Sequence, residues 1–283
     1  LLLPVNLFLE IVKWKFLINK LEKVSYWSAT KAVLTGISVS MFMPNRVGDY
    51  LGRVFVLKKA NRLQAVLATI MGGIAQLITT ILFGCIALLI FFPHYFDMRS
   101  QFNGWLYIGL IFAVLLMLGT IVFAYLNFAT FSVIIKRITG RSYERFRKYA
   151  RVFSWYTARD LLKVLVLSMM RYVVFSMQFF LLLIAFGVNI SYPAAMVLIA
   201  LVYLMMTVIP TIALTELGVR GSVSLMIFAL YLEPLGTWTH ATSLAVVSST
   251  TVLWIINLAL PALLGVLFVY SLRFFRKTNG NGN

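Results

Sequence analysis

Between Gln64 and Phe92 the chain carries no charged residue, and a run of that length and apolarity has one stable home, a helix across a lipid bilayer. The bilayer core offers no water to backbone amides and carbonyls, so spanning segments are helices or strands of closed barrels. Further apolar runs occupy Trp105–Asn127, Leu161–Phe186 and Thr239–Leu272, without the period-two alternation of barrel strands. The composition agrees: 61% hydrophobic, 12% charged and a mean hydropathy of +0.94, beyond an ordinary soluble domain. The predicted class is an all-α polytopic membrane protein, with one transmembrane domain over 1–277 and a flexible tail at 278–283. Leu1-Leu2-Leu3-Pro4 reads as the end of an apolar segment whose earlier part is missing.

Charge sets the predicted orientation. Lys and Arg number 25 against 8 Asp and Glu, a net +17 that the positive-inside rule accounts for without nucleic acid. The connector 128–160 holds Lys136, Arg137, Arg141, Arg145, Arg147, Lys148, Arg151 and Arg159, which assigns it to the cytoplasm, beside an anionic membrane surface. Arg273, Arg276 and Lys277 place the C-terminus on the same side. Cys85 is alone in an apolar run and reads as a packing residue, while His94 and His240 lack ligand neighbours at useful spacing. No metal or cofactor is expected.

The remaining segments are less regular. In 5–23, Leu7, Phe8, Ile11, Trp14, Ile18 and Leu21 share a face, while Glu10, Lys13, Lys20 and Lys23 cluster elsewhere, which predicts an interfacial amphipathic helix. Residues 25–57 are weakly apolar, broken at Pro44 and Gly48, and basic at both flanks. This predicts a re-entrant hairpin entered from the cytoplasm, its tip at Pro44 to Asp49. Residues 64–127 supply two spanning helices, the first with a small-residue patch, Ala68, Gly72 and Gly73, suited to close packing. After the spanning helix 161–186, the segment 193–232 is apolar to Ile209, breaks at Pro210, and carries polar residues to Gly221. Its apolar return, Ser222–Leu232, covers only ~16 Å at ~1.5 Å per residue, too short to span. This predicts a second re-entrant hairpin, entered from outside. Pro261 is expected to kink or split the final segment, 239–272.

Each hairpin tip thus carries Pro, Gly, an acid and an Arg, and the two enter from opposite sides. That pattern predicts an inverted repeat whose hairpins meet near the bilayer midplane around a substrate site. Arg171 lies about 15 Å into its helix by rise, with Ser168 and Gln178 near the same face. An unpaired Arg at such depth costs at least ~2.5 kcal/mol. The predicted binding set is Arg46, Asp49, Arg53, Arg171, Gln178, Glu216 and Arg220. Its four cations outnumber its two anions, and guanidinium matches phosphate oxygens bidentately, so a lipid phosphate is the expected partner. Two alternatives stay open: Arg171 pairs with Glu216 or Asp49 merely to lock the halves, or Arg53 and Arg220 snorkel to an interface.

The run Pro44-x-Arg46-x-Gly48-Asp49-x-x-x-Arg53, the Ser168-x-x-Arg171 pair followed by Gln178, and Glu216-Leu-Gly-Val-x-Gly221 resemble the membrane region of lysylphosphatidylglycerol synthases of the multiple peptide resistance factor type and their stand-alone relatives. The likeness extends from about the amphipathic helix to the last helix. It implies a flippase domain of the bacterial inner membrane that moves an aminoacylated phosphatidylglycerol between leaflets. Asp49 departs from the Glu of many relatives, the turn Ile209–Leu214 is poorer in Pro and Gly, and no aminoacyl-transferase domain follows Lys277.

The expected function is flipping of an anionic or aminoacylated phospholipid, or of a polyprenyl-phosphate-linked lipid, by a non-enzymatic protein for which a homo-oligomer is compatible. The alternatives are an intramembrane lipid-modifying enzyme with Asp49 or Glu216 as general base, and a membrane subunit docking a partner through its basic loop.

Overall fold

The computed structural model describes residues 2–43, 47–95, 104–127 and 151–269. Within them the chain forms ten α-helices: α1 (Leu2–Ile18), α2 (Tyr26–Ser40), α3 (Val47–Val54), α4 (Arg62–Tyr95), α5 (Gly104–Leu126), α6 (Ala158–Ala185), α7 (Tyr192–Val208), α8 (Ala213–Leu232), α9 (His240–Trp254) and α10 (Leu260–Val269). A 3₁₀ turn at Arg151–Trp155 precedes α6, and a π turn at Ile255–Ala259 joins α9 to α10. Among the described residues, five stretches are long and apolar enough to cross a membrane: Arg62–Pro93, Gly104–Leu126, Ala158–Ala185, Thr215–Leu232 and His240–Val269. The protein is a multi-pass membrane protein. Most of the basic connector, from 128 to 150, and the tail lie outside the described residues, as do Pro44, Asn45 and Arg46.

Local chemistry explains the helix ends. Thr157 caps α6 in a capping box: its hydroxyl accepts the Asp160 N–H (3.3 Å), and the Asp160 carboxylate accepts the Thr157 N–H (2.9 Å). Lys20 binds that carboxylate and the Trp155 carbonyl, tying the end of α1 to the start of α6. Gly187, at φ +84°, turns the chain out of α6 in the left-handed region open to glycine.

Two buried apolar clusters build the interior. One joins α1, α2 and α4 to the first half of α6 through Trp14, Leu17, Val33, Met71 and Leu165. The other joins the second half of α6 to α7, α8 and α9 through Phe179, Leu183, Leu198, Phe228 and Leu253. Along α6, Leu165 belongs to the first and Tyr172 to the second, so Arg171 stands at the boundary between two dry regions.

Helix pairs are held by close approach, as suits packing without a hydrophobic drive between helices. A Cβ on Gly36 of α2 would lie 2.5 Å from Asp49 Oδ1 and 2.8 Å from the Asp49 carbonyl of α3. A Cβ on Gly265 of α10 would lie 2.1 Å from the Leu34 carbonyl of α2, where Ser38 Oγ also donates to the Ala262 carbonyl (2.5 Å). On α4, Gly72 meets Leu17 of α1, Gly73 meets Tyr50 of α3 and Gly84 meets Leu204 of α7, so the small-residue patch does serve close packing.

Three sequence expectations change. Glu10 and Lys13 do not form a charged interfacial face: α1 packs on α2, α4 and α6, and these side chains are buried, at 5% and 2% exposure. Ion pairing with other helices removes the cost that argued for a solvated face. The return arm after Pro210 is not an 11-residue stub, because α8 starts at Ala213 and runs for 20 residues. Its first turns carry Glu216 and Arg220 as an i,i+4 pair, so they continue the helix. The final segment is interrupted ahead of Pro261: the Leu260 N–H bonds back to the Ile255 carbonyl in π register, and Pro261 then falls in the first turn of α10.

Candidate functional site

The polar layer starts with two similar helix entrances. In α3, Asp49 lies in the first turn and Arg53 four residues on; in α8, Glu216 and Arg220 repeat that arrangement. Arg53 grips Asp49 with both arms of its fork, Nε to Oδ1 at 2.8 Å and Nη2 to Oδ2 at 2.5 Å. Arg220 Nη2 donates to Glu216 Oε1 at 2.6 Å. An acid at a helix N-terminus also meets the positive end of the helix dipole. Each pair therefore comes from local spacing, and each is legible as acid-x-x-x-Arg.

A third carboxylate joins the entrances to α6. Glu10, on α1, accepts from Arg53 Nη1 (2.6 Å), Arg171 Nη1 (2.7 Å) and Lys13 Nζ (2.8 Å). Arg171 Nε donates to Asn6 Oδ1 (2.7 Å), and Asn6 Nδ2 donates to Asn257 Oδ1 (2.8 Å). Asn257 lies in the π turn and gives its own amide N–H to the Leu253 carbonyl (3.1 Å). The chain of contacts runs from α6 through α1 to the α9–α10 junction. Arg171 is thus partnered by Glu10, a residue the sequence reading left on a solvated face. Arg53 is 4% exposed and turned inward, not snorkelled to an interface.

Two cavities border this layer. The larger, about 690 Å³, is lined by Tyr50, Gln76 and Thr80, by Met206 to Thr211 at the end of α7 and in the turn to α8, and by Arg171, Glu216 and Arg220. Tyr172, Phe175 and Tyr203 give it an aromatic wall, with the Arg220 guanidinium 6.0 Å from the Tyr203 ring centre. The smaller, about 90 Å³, is lined by Asp49, Arg53, Arg171, Glu216, Arg220 and Asn257 among others. Arg171, Phe175, Glu216 and Arg220 line both.

Five of the seven expected residues therefore converge: Asp49, Arg53, Arg171, Glu216 and Arg220. Arg46 falls outside the described residues. Gln178 is buried and lines neither cavity; its Oε1 finds no hydrogen-bond partner among the described residues. Glu10, Lys13, Asn6 and Asn257 are the additions. The signal that could have found Glu10 and Lys13 is their i,i+3 pairing in a helix with apolar residues around most of its circumference. No group of three or more His, Cys, Asp and Glu fit to hold a metal occurs among the described residues.

One buried and two half-buried arginines, a polar layer between two apolar regions and a cavity with one aromatic wall suit a ligand that is charged at one end and apolar at the other. No curated protein and no solved structure matches the chain significantly. The sequence model of the lysylphosphatidylglycerol synthase TM region matches residues 1–265, an interval reaching from α1 into α10, and the chain belongs to that family, whose members are membrane proteins of lipid modification or transport.

Proposed function

We propose that the chain translocates a phospholipid with an anionic or aminoacylated headgroup, or a polyprenyl-phosphate-linked lipid, between the leaflets of a bacterial inner membrane, without altering it chemically. The observation that carries this reading is the convergence of Arg171, Glu216 and Arg220 on the 690 Å³ cavity that also touches Tyr50 of α3 and the α7–α8 turn. That volume lies within the ~300–1,000 Å³ usual for small-molecule sites. Arg171 and Arg220 bind the headgroup phosphate; Glu216 orients Arg220 and meets any cationic part of the headgroup, while Asp49 holds Arg53 beside the smaller cavity.

An inverted repeat of two re-entrant hairpins is the mechanism we attach to this site. Exchanging α1 with α6, α2 with α7, α3 with α8, and α4 with α9–α10 preserves most of the helix contacts; the packing of α4 on α6 has no comparable counterpart between α1 and α9–α10. α10 packs on α2 as α4 packs on α7, and α4 on α3 as α9 on α8. Glycines sit at matching contacts, Gly265 on Leu34 and Gly84 on Leu204. Glu10 of α1 and Arg171 of α6 then become counterparts that pair across the exchange. The Glu22 carboxylate accepts the N–H groups of Lys58, Lys59 and Ala60, drawing the two ends of the α2–α3 hairpin together. Val188 and Ile190, ahead of α7, and Leu232, at the end of α8, are all buried in the second apolar cluster. Rocking of one half against the other exposes the site to each leaflet in turn. The basic connector orients the protein, with 128–160 and the C-terminus cytoplasmic.

The test is reconstitution into vesicles with a fluorescent phosphatidylglycerol in one leaflet. Arg171→Ala and Asp49→Asn should each slow its transfer, and recovered lipid should be chemically unchanged. Unimpaired transfer in both variants would overturn the site, and an altered lipid would overturn the non-enzymatic reading.

A further inference from the structure

Glu10 has no role in the translocation reading above, yet its carboxylate joins α1 to α3 and α6. Three cations share its single negative charge, and they are not equivalent. Lys13 lies one turn away on the same helix and is buried; Arg53 has two further bonds to Asp49 and is 4% exposed. Arg171 comes from a different helix, is 23% exposed, and lines both cavities. Without Arg171, Glu10 keeps two cations. Without Glu10, the hydrogen-bond partner left to Arg171 among the described residues is the neutral Asn6. Among the described residues of the layer, Lys13, Arg53, Arg171 and Arg220 exceed Glu10, Asp49 and Glu216 by one cation, so the cluster can take up one further negative charge.

We infer that Glu10 is an internal counter-anion for Arg171, displaced when the phosphodiester of a lipid headgroup enters the larger cavity; the inference rests on the headgroup site proposed above. Arg171 passes from carboxylate to phosphate, two anions that its planar fork binds in the same geometry. Lys13 and Arg53 keep Glu10 neutralised during the exchange, so the buried carboxylate is never left alone. The hydrogen bond from Arg171 Nε to Asn6 serves as the pivot, because it uses a different nitrogen from the one Glu10 holds. Glu10 is then a positioning residue. It sets how readily Arg171 is released and holds headgroup affinity below its maximum, so that the lipid can leave.

The experiment measures binding of dihexanoylphosphatidylglycerol to the purified full chain in detergent by titration calorimetry, with inorganic phosphate as a second probe. E10Q removes the competing charge; E10Q/K13Q removes it while keeping the net charge of the cluster, and is the variant better placed to fold. Both should bind the lipid about tenfold more tightly, the gain expected where the released arginine is populated in about one molecule in ten. E10D, which keeps the charge on a shorter stem, should show a smaller gain in the same direction. A merely structural Glu10 would give no gain. Unchanged or weaker lipid binding in E10Q/K13Q at a melting temperature near that of the parent overturns the inference and leaves the headgroup site standing. Equal binding by the parent and R171A overturns the headgroup site itself. An equal gain for inorganic phosphate overturns the lipid as the displacing group.

Discussion

Replacing Arg53 with methionine keeps most of the aliphatic stem and removes the guanidinium, which takes away two bonds to Asp49 and one to Glu10. Glu10 retains Lys13 and Arg171, so the uncompensated charge falls on Asp49. Breaking a buried pair from one side costs ~3–5 kcal/mol, and the 23% exposure of the Asp49 side chain places this case near the lower figure. At ~2–4 °C per kcal/mol for a chain of this size, the melting temperature should fall by roughly 6–12 °C. Adding Asp49→Asn neutralises the stranded carboxylate and should recover about 1–2 kcal/mol of that loss, a coupling that a double-mutant cycle reads directly. Arg171→Met behaves differently. Glu10 still has two cations and the Arg171 side chain is 23% exposed, so the loss should be about 1 kcal/mol or less, while lipid transfer collapses. Tryptophan fluorescence during heating in micelles gives the first quantity and the vesicle assay the second. Equal destabilisation by the two arginine substitutions, or a further loss on adding Asp49→Asn, would refute the division of labour derived from these contacts.

Other expectations follow from particular contacts. Gly36→Ala puts a methyl group against the Asp49 backbone, which cannot yield, and should cost about 1–3 kcal/mol together with transfer activity; an unchanged melting temperature would contradict the close α2–α3 approach. Gly73→Leu drives a side chain into Tyr50 at the edge of the larger cavity and should slow transfer more than it lowers stability, as measured by the same pair of assays. Glu22→Ala frees three backbone N–H groups at Lys58 to Ala60, so limited trypsinolysis should cut after Lys58 or Lys59 faster than in the parent.

The helices were legible because lipid-facing and buried positions in a bilayer are both apolar, which makes runs such as 64–92 unmistakable. The acid-x-x-x-Arg pairs were legible too, since i,i+4 spacing is local. Glu10 was misread because its partners Arg53 and Arg171 stand 43 and 161 positions away, and such pairs leave no periodic trace. For α8 the reason is different: by composition Glu216 and Arg220 interrupt the apolar run, although their local i,i+4 pairing lets them sit inside a helix. Asn6 and Asn257, 251 positions apart, are single polar residues in apolar runs, and only the fold brings them together. For Gln178, helical spacing from Arg171 suggested a shared face, but the second apolar cluster closes over that part of α6 before it reaches either cavity.

The distribution of the carboxylates has a consequence for biogenesis. Asp49 and Arg53, with Glu10 and Lys13, balance one another inside the first part of the chain, so that part can settle in the bilayer before the rest has left the ribosome. Arg171 emerges much later and finds its counter-charge already waiting in α1. The early helices should thus act as a template on which α6 is received. Co-expressed as two fragments cut within 128–150, the first should accumulate alone, and the second should survive quality control only in its company.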